Sequence, residues 1–187
     1  MLKQVLYILS IIAIISLCSC SNIEQPLVQG NKTIIRVPDS LFSSNWGQWL
    51  QVEQRIQRAK TQIIVLLWRG RGGRVDLGIR FGEFMRGSHK YIIVQIVGPA
   101  MSMHALVPCY ASKVVLTPYG FLMFHIRAND GTPDLSSDSQ EENTRLMGIC
   151  MSKGLVNRQD IRNVNTDHEV YIYPNGSREV RLDPRRN

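Results

Sequence analysis

The 187-residue chain is short of imidazole and of clustered charge. Its four histidines are His89, His104, His125 and His168, so few side chains could work as a base near neutral pH. Cysteine and histidine never fall at zinc-finger spacing, and there is no RNA-binding aromatic motif and no P-loop. Those gaps argue against a structural zinc site, sequence-specific RNA binding and nucleotide hydrolysis. No internal repeat is visible, which argues against a solenoid. The only notable block of charge is Asp183-Pro184-Arg185-Arg186-Asn187 at the end. The formal net charge of +7 suits solubility or an anionic membrane surface. Neither a metal nor an organic cofactor is expected, and nucleic acid is not an expected partner.

Charge is also missing from the start. Lys3 is the only charged residue before position 24, and Val5 to Leu17 is a nearly continuous apolar run. That run is too short for a comfortable membrane span and has the length of a signal-peptide core. It ends in Leu17-Cys18-Ser19-Cys20, which resembles the lipobox of bacterial lipoproteins. The resemblance implies a signal peptide over 1–19, cleavage before Cys20, and a lipid on the Cys20 sulfur. It places the protein in the cell envelope, anchored in a membrane. Residues 20–32, polar with Pro and Gly, read as a lipidated tether. Cys109 and Cys150 would remain. An oxidising envelope permits a disulfide between them, but the sequence alone does not bring them together.

Residues 33–187 are long enough for one domain with its own core. Strands are expected at 33–37, 62–68, 91–97, 113–116 and 121–124, where β-branched and aromatic residues concentrate. Helices are expected at 46–60, 75–86, from Ser102, at 141–153 and at 157–164. Residues 129–140 read as a polar loop, and Asn175-Gly176 as the turn of a terminal hairpin. Alternating strands and helices give an α/β fold class.

One stretch poses the chemical question. The strand ending at Val97 runs into Gly98-Pro99-Ala100-Met101-Ser102-Met103, and a helix is expected to start at Ser102. A serine there is either an N-cap or a nucleophile raised on a sharp turn near helix-start N–H groups. Three other stretches bear on that choice. Arg69-Gly70-Arg71-Gly72-Gly73 follows the strand 62–68, and its glycines allow a backbone N–H to approach a reacting group. His125 ends the strand Phe121-Leu122-Met123-Phe124. Asp167 follows the last helix and could orient an imidazole.

In combination, over about residues 60–168, these motifs resemble the ClpP-like serine peptidases of the ClpP/crotonase fold. Strand, Gly72-Gly73, helix, strand, Gly98-x-Ala100-x-Ser102-Met103 and Met123-x-His125 occur in the family's order. The resemblance implies a single domain of repeated β-β-α units. It implies Ser102 as nucleophile, His125 as general base and Asp167 as the acid that orients the ring. The amides of Gly73 and Met103 would form the oxyanion hole. The implied substrate is a peptide or an unfolded chain, and a homo-oligomer is possible for such a fold. Placing Asp167 needs a one-residue deletion, and Asp160 is the alternative acid. His104 stands where the family usually has glycine, and Arg127 where it has proline. The stretch between His125 and Asp167 is short, and a hairpin replaces the family's last helix, so the family's double ring is not expected. An envelope location also separates the protein from a cytoplasmic ATPase.

The competing reading is a catalytically inactive ClpP-like lipoprotein that serves as an envelope binding module. Arg69, Arg71 and Arg74 around the glycine turn motivate it. A Ser/Lys enzyme with Lys113 as base is a third reading, and a crotonase-type acyl-CoA enzyme a fourth.

Overall fold

The computed structural model describes residues 26–129 and 132–186. The apolar run and Cys20 therefore lie outside the described residues. Among the described residues no helix is long and apolar enough to cross a membrane.

The chain is mixed α/β. Strands β1 (Leu27–Gln29), β2 (Lys32–Arg36), β3 (Ile63–Gly70) and β4 (Tyr91–Met101) alternate with helices α1 (Trp46–Arg58) and α2 (Val75–Gly87). A single helical turn, α3 (Met103–Leu106), leads through a tight turn to β5 (Lys113–Leu116) and β6 (Phe121–Phe124). Then come the small hairpin β7 (Ala128–Asn129) and β8 (Thr132–Pro133), and helices α4 (Ser137–Ser152) and α5 (Arg158–Asn165). The chain closes with β9 (His168–Ile172) and β10 (Arg178–Leu182). The main sheet runs β1-β2-β3-β4-β6-β9-β10, with β5 also paired to β4. Its centre is parallel, from β2 through β3 and β4 to β6. Both margins are antiparallel hairpins, β1–β2 and β9–β10.

The expected elements form because their apolar residues find the core. Ile64, Leu66 and Trp68 of β3 and Ile92, Val94 and Ile96 of β4 are fully buried. Trp49 and Phe81, from α1 and α2, meet Trp68 at ring separations of 5.5 Å and 6.2 Å. Burying each of these large rings contributes roughly 1.5–3 kcal/mol.

Four boundaries depart from the sequence reading. Strand β1 pairs with β2 inside the segment expected to be tether, so sheet begins at Leu27. Gly98-Pro99 does not end β4. Residues 93–96 pair with β5, whereas 99–101 pair with β6, so the Gly-Pro pair marks a change of partner. The missing proline N–H is tolerated at such a break in the ladder. The helix from Ser102 lasts one turn, and Pro108 lies in the tight turn that follows it. Helix α4 begins four residues earlier than expected, because Ser136 caps it by accepting from the Ser139 N–H at 3.3 Å.

Cys109 and Cys150 form a disulfide that fastens the turn after α3 to α4. Closing a loop of 41 residues restricts the unfolded chain by roughly 4 kcal/mol in the chain-entropy account. The bond holds α4 beside the segment that carries Ser102.

Candidate active site

Ser102 sits where β4 turns into α3. Its backbone has φ 57° and ψ −129°, and its side chain makes no capping hydrogen bond. The cap explanation for this serine therefore fails. A non-glycine residue at such a φ/ψ costs about 1–3 kcal/mol, and it persists only when neighbours enforce it. Here the enforcing contacts are identifiable. The Ser102 N–H donates to the Met123 carbonyl of β6 at 2.8 Å, and the Ser102 carbonyl accepts from the Ala105 N–H at 2.8 Å.

The glycine turn comes up against this serine. A Cβ on Gly72 would lie 2.6 Å from Ser102 Cβ and 3.0 Å from its Oγ, so only glycine fits. Gly72 also has φ +109°. The turn is anchored on its far side. The Leu41 N–H donates to the Gly72 carbonyl at 2.9 Å, and the Arg74 N–H donates to the Leu41 carbonyl at 2.7 Å. In such a parallel bridge the intervening residue, Gly73, directs its own N–H and C=O to the opposite edge. Gly73 lines a cavity of about 600 Å³ together with Ser102, His125 and Arg127. Ser102 and His125 also share a narrow side pocket with Met103. Ser102 and His125 thus line both hollows, with Gly73 on the larger and Met103 on the smaller.

His104 supports this arrangement from below and does not face it. Its ring is fully buried, with Nδ1 3.2 Å from the Gly72 carbonyl and Nε2 3.1 Å from the Pro38 carbonyl. Its own carbonyl accepts from Trp68 Nε1 at 2.7 Å. Burial pushes the proton affinity of this imidazole down. With a nitrogen against each of these two carbonyls, the ring props the glycine turn.

His125 is the imidazole in these hollows. Its Nδ1 lies 2.6 Å from the Ile126 carbonyl and 2.7 Å from Nη2 of Arg185. The two contacts ask opposite things of the ring. A proton on Nδ1 satisfies Ile126, whereas a lone pair on Nδ1 accepts from Arg185. Burial lowers the proton affinity of His125, and the Arg185 charge lowers it further. The carboxylates of Asp183 and Glu169 act in the other direction. Arg185 is itself held by Asp183, through Nε to Oδ1 at 2.8 Å and a close Nη2–Oδ2 contact.

Asp167 is buried at the entry to β9 with φ 70°. Its backbone carbonyl accepts from the Asp183 N–H at 3.1 Å, and its charge raises the proton affinity of Arg185. Asp167 thus joins the Asp183–Arg185 pair, and Arg185, with the Ile126 carbonyl, stands against the His125 ring. Asp160, the alternative acid, is committed elsewhere. It caps α5 by accepting from the Asn157 N–H and pairs with Arg178 at 2.9 Å. Lys113 carries no bond into either hollow. It lies in β5, on the part of β4 that precedes Pro99.

Arg185 is the contact that sequence reading missed. Its only signal was the charged block at the chain end, which gave no hint of a return to residue 125. Among the described residues no group of three or more His, Cys, Asp or Glu side chains could hold a metal ion. Comparison with known proteins finds no matching family model and no matching curated relative.

Proposed function

We propose that this chain is a serine endopeptidase of ClpP-like design, tethered to a membrane of the cell envelope through lipid on Cys20 and working without a partner ATPase. The observation that carries the reading is the strained, uncapped Ser102 facing the same cavity as His125. A serine used only as a helix cap has no need of that backbone. Strain of this kind is the usual mark of a side chain held out for chemistry.

The residues divide the reaction as follows. A peptide lies extended along the open edge of Gly73, exchanging backbone hydrogen bonds there. Ser102 Oγ attacks the scissile carbonyl while His125 Nε2 takes its proton. The carbonyl oxygen, now negative, is held by the amides of Gly73 and Met103. The C–N bond breaks, and the proton on Nε2 goes to the leaving amine. Water, deprotonated by the same nitrogen, then releases the acyl group from Ser102. This sequence needs the proton of the resting ring on Nδ1, bonded to the Ile126 carbonyl. By the same resemblance the sheet and helices form ClpP/crotonase-like repeated β-β-α units. The resemblance assigns Asp167 to orient the ring, a place that the Ile126 carbonyl and Arg185 hold in this site.

A second reading rests on a specific contact. With Arg185 donating to Nδ1, the ring proton moves to Nε2 and His125 is no base toward Ser102. If that contact is permanent, the chain is a ClpP-like lipoprotein that binds peptides in the envelope without cutting them. Hydrolysis of a quenched-fluorescent peptide library by the full chain in detergent micelles separates the readings. The peptidase reading expects cleavage that Ser102→Ala and His125→Ala abolish and Lys113→Ala retains. Cleavage unaffected by Ser102→Ala, or binding of the library without cleavage, contradicts it.

A further inference from the structure

Beside Ser102 a second, narrower pocket of about 40 Å³ opens toward α4. Its volume holds little more than one water molecule. Val75, Met103, Leu106 and Leu146 build its apolar sides, and the buried Asn143, whose amide donates to Asn165 Oδ1 at 2.6 Å, also lines it. Ser139, from the first turn of α4, lines it as well, and the Ser139 Oγ is buried with no hydrogen-bond partner. The residue is 3% exposed, so the hydroxyl belongs to the inner wall of the pocket. Because no protein group bonds this hydroxyl, it can serve a polar ligand group that enters the pocket. At the mouth, Arg127 and Glu142 lie 3.6 Å apart as an ion pair. Their charges compensate one another, so the entrance favours neither an acidic nor a basic side chain. An isolated charge pushed past them into the apolar walls would be unpaired.

We propose that this pocket selects the residue on the N-terminal side of the scissile bond, and that it takes a short, uncharged, hydrogen-bonding side chain, serine above all. The inference rests on the peptidase reading and gives it a substrate class. Size excludes leucine and phenylalanine, because the disulfide to Cys150 holds α4 against the Ser102 segment. The Ser139 hydroxyl separates serine from alanine, which fills the same space without a polar atom. Ser139 is a specificity residue and takes no part in proton transfer.

The test uses the full chain in micelles and tripeptidyl coumarin amides that differ only in the residue before the coumarin. Expected kcat/KM falls from serine to alanine by about fivefold, and from alanine to leucine or phenylalanine by more than tenfold. Ser139→Ala should reduce the serine-to-alanine ratio to about one. Its thermal midpoint should stay at or above that of the parent, since the hydroxyl it removes has no partner. A small alkyl fluorophosphonate, which needs no side pocket, is the control for the underlying reading. Labelling of Ser102 with equal or greater turnover of leucine and phenylalanine substrates overturns the pocket assignment alone. An unchanged serine-to-alanine ratio in Ser139→Ala overturns the role of the hydroxyl. Absence of alkyl labelling overturns the peptidase reading and this inference with it.

Discussion

Nη2 of Arg185 stands 2.7 Å from Nδ1 of His125, across 60 residues of sequence. The same nitrogen donates to the Ile126 carbonyl at 3.3 Å and to the Asp183 carboxylate. Arginine has only donors to offer, so this geometry opposes the ring tautomer that a base toward Ser102 requires. The last turn of the chain therefore bears directly on the chemistry of a residue in the middle of it.

Removing this contact is expected to raise the reactivity of Ser102. Asp183 is 1% exposed, and a lone Arg185 substitution would strand its charge, so the double variant Asp183→Asn/Arg185→Met is the cleaner test. Its rate of modification by an active-site-directed phosphonate should rise about tenfold, the factor that corresponds to 1.4 kcal/mol of tautomer bias. The acid limb of its pH–rate profile should also move upward, since the lowering effect of Arg185 on the proton affinity of His125 outweighs the raising effect of Asp183 that the variant removes with it. A slower rate with an unmoved limb would mean that Arg185 holds the ring in a productive pose.

Acidification should destabilise the fold over a particular range. Burial lowers the proton affinity of both His104 and His125. The unfolded chain takes up protons on these rings near pH 6.5, before the folded chain does. Stability present above that pH is therefore lost as the pH falls below it. The Asp183 carboxyl is held below its ordinary 3.8 by Arg185, against the opposing pull of burial, so its contribution is lost only at lower pH. Urea midpoints measured from pH 8 to pH 5 should fall, with most of the loss below 6.5. A midpoint that stays level through that range contradicts the account of both rings.

Ser102 should be replaceable without loss of stability. Its hydroxyl makes no cap bond, so Ser102→Ala should shift unfolding by less than about 0.5 kcal/mol. Ser102→Gly relieves the φ of 57° and should be at least as stable as Ser102→Ala, although glycine adds freedom to the unfolded chain. Denaturant titration of the two variants decides the matter. A glycine variant less stable by about 1 kcal/mol would show that the backbone there carries little strain.

The strands and helices were legible because their apolar spacing is strong. Ile92, Val94 and Ile96 alternate as a sheet residue set should, and Trp49, Val52 and Ile56 fall on one helical face. Boundaries were less legible where tertiary pairing overrode local signals. Gly98-Pro99 is a stop signal by itself, yet β6 supplies Phe121 opposite Pro99 and the strand continues. Ser102, His125 and Gly73 could be singled out by motif, but the φ that distinguishes Ser102 from a cap is a property of the fold. Contacts across long separations left no local trace. Cys109 needed α4 to be in place before it could meet Cys150, and Arg185 needed β9 and β10 to bring it back to His125.

The most direct test is labelling of the full chain in micelles with an alkyl fluorophosphonate, read by intact mass and peptide mapping. The account predicts one adduct per chain, on Ser102, lost in Ser102→Ala and strongly slowed in His125→Ala. A folded chain that acquires no adduct, or an adduct on Ser102 at a rate indifferent to His125, contradicts it.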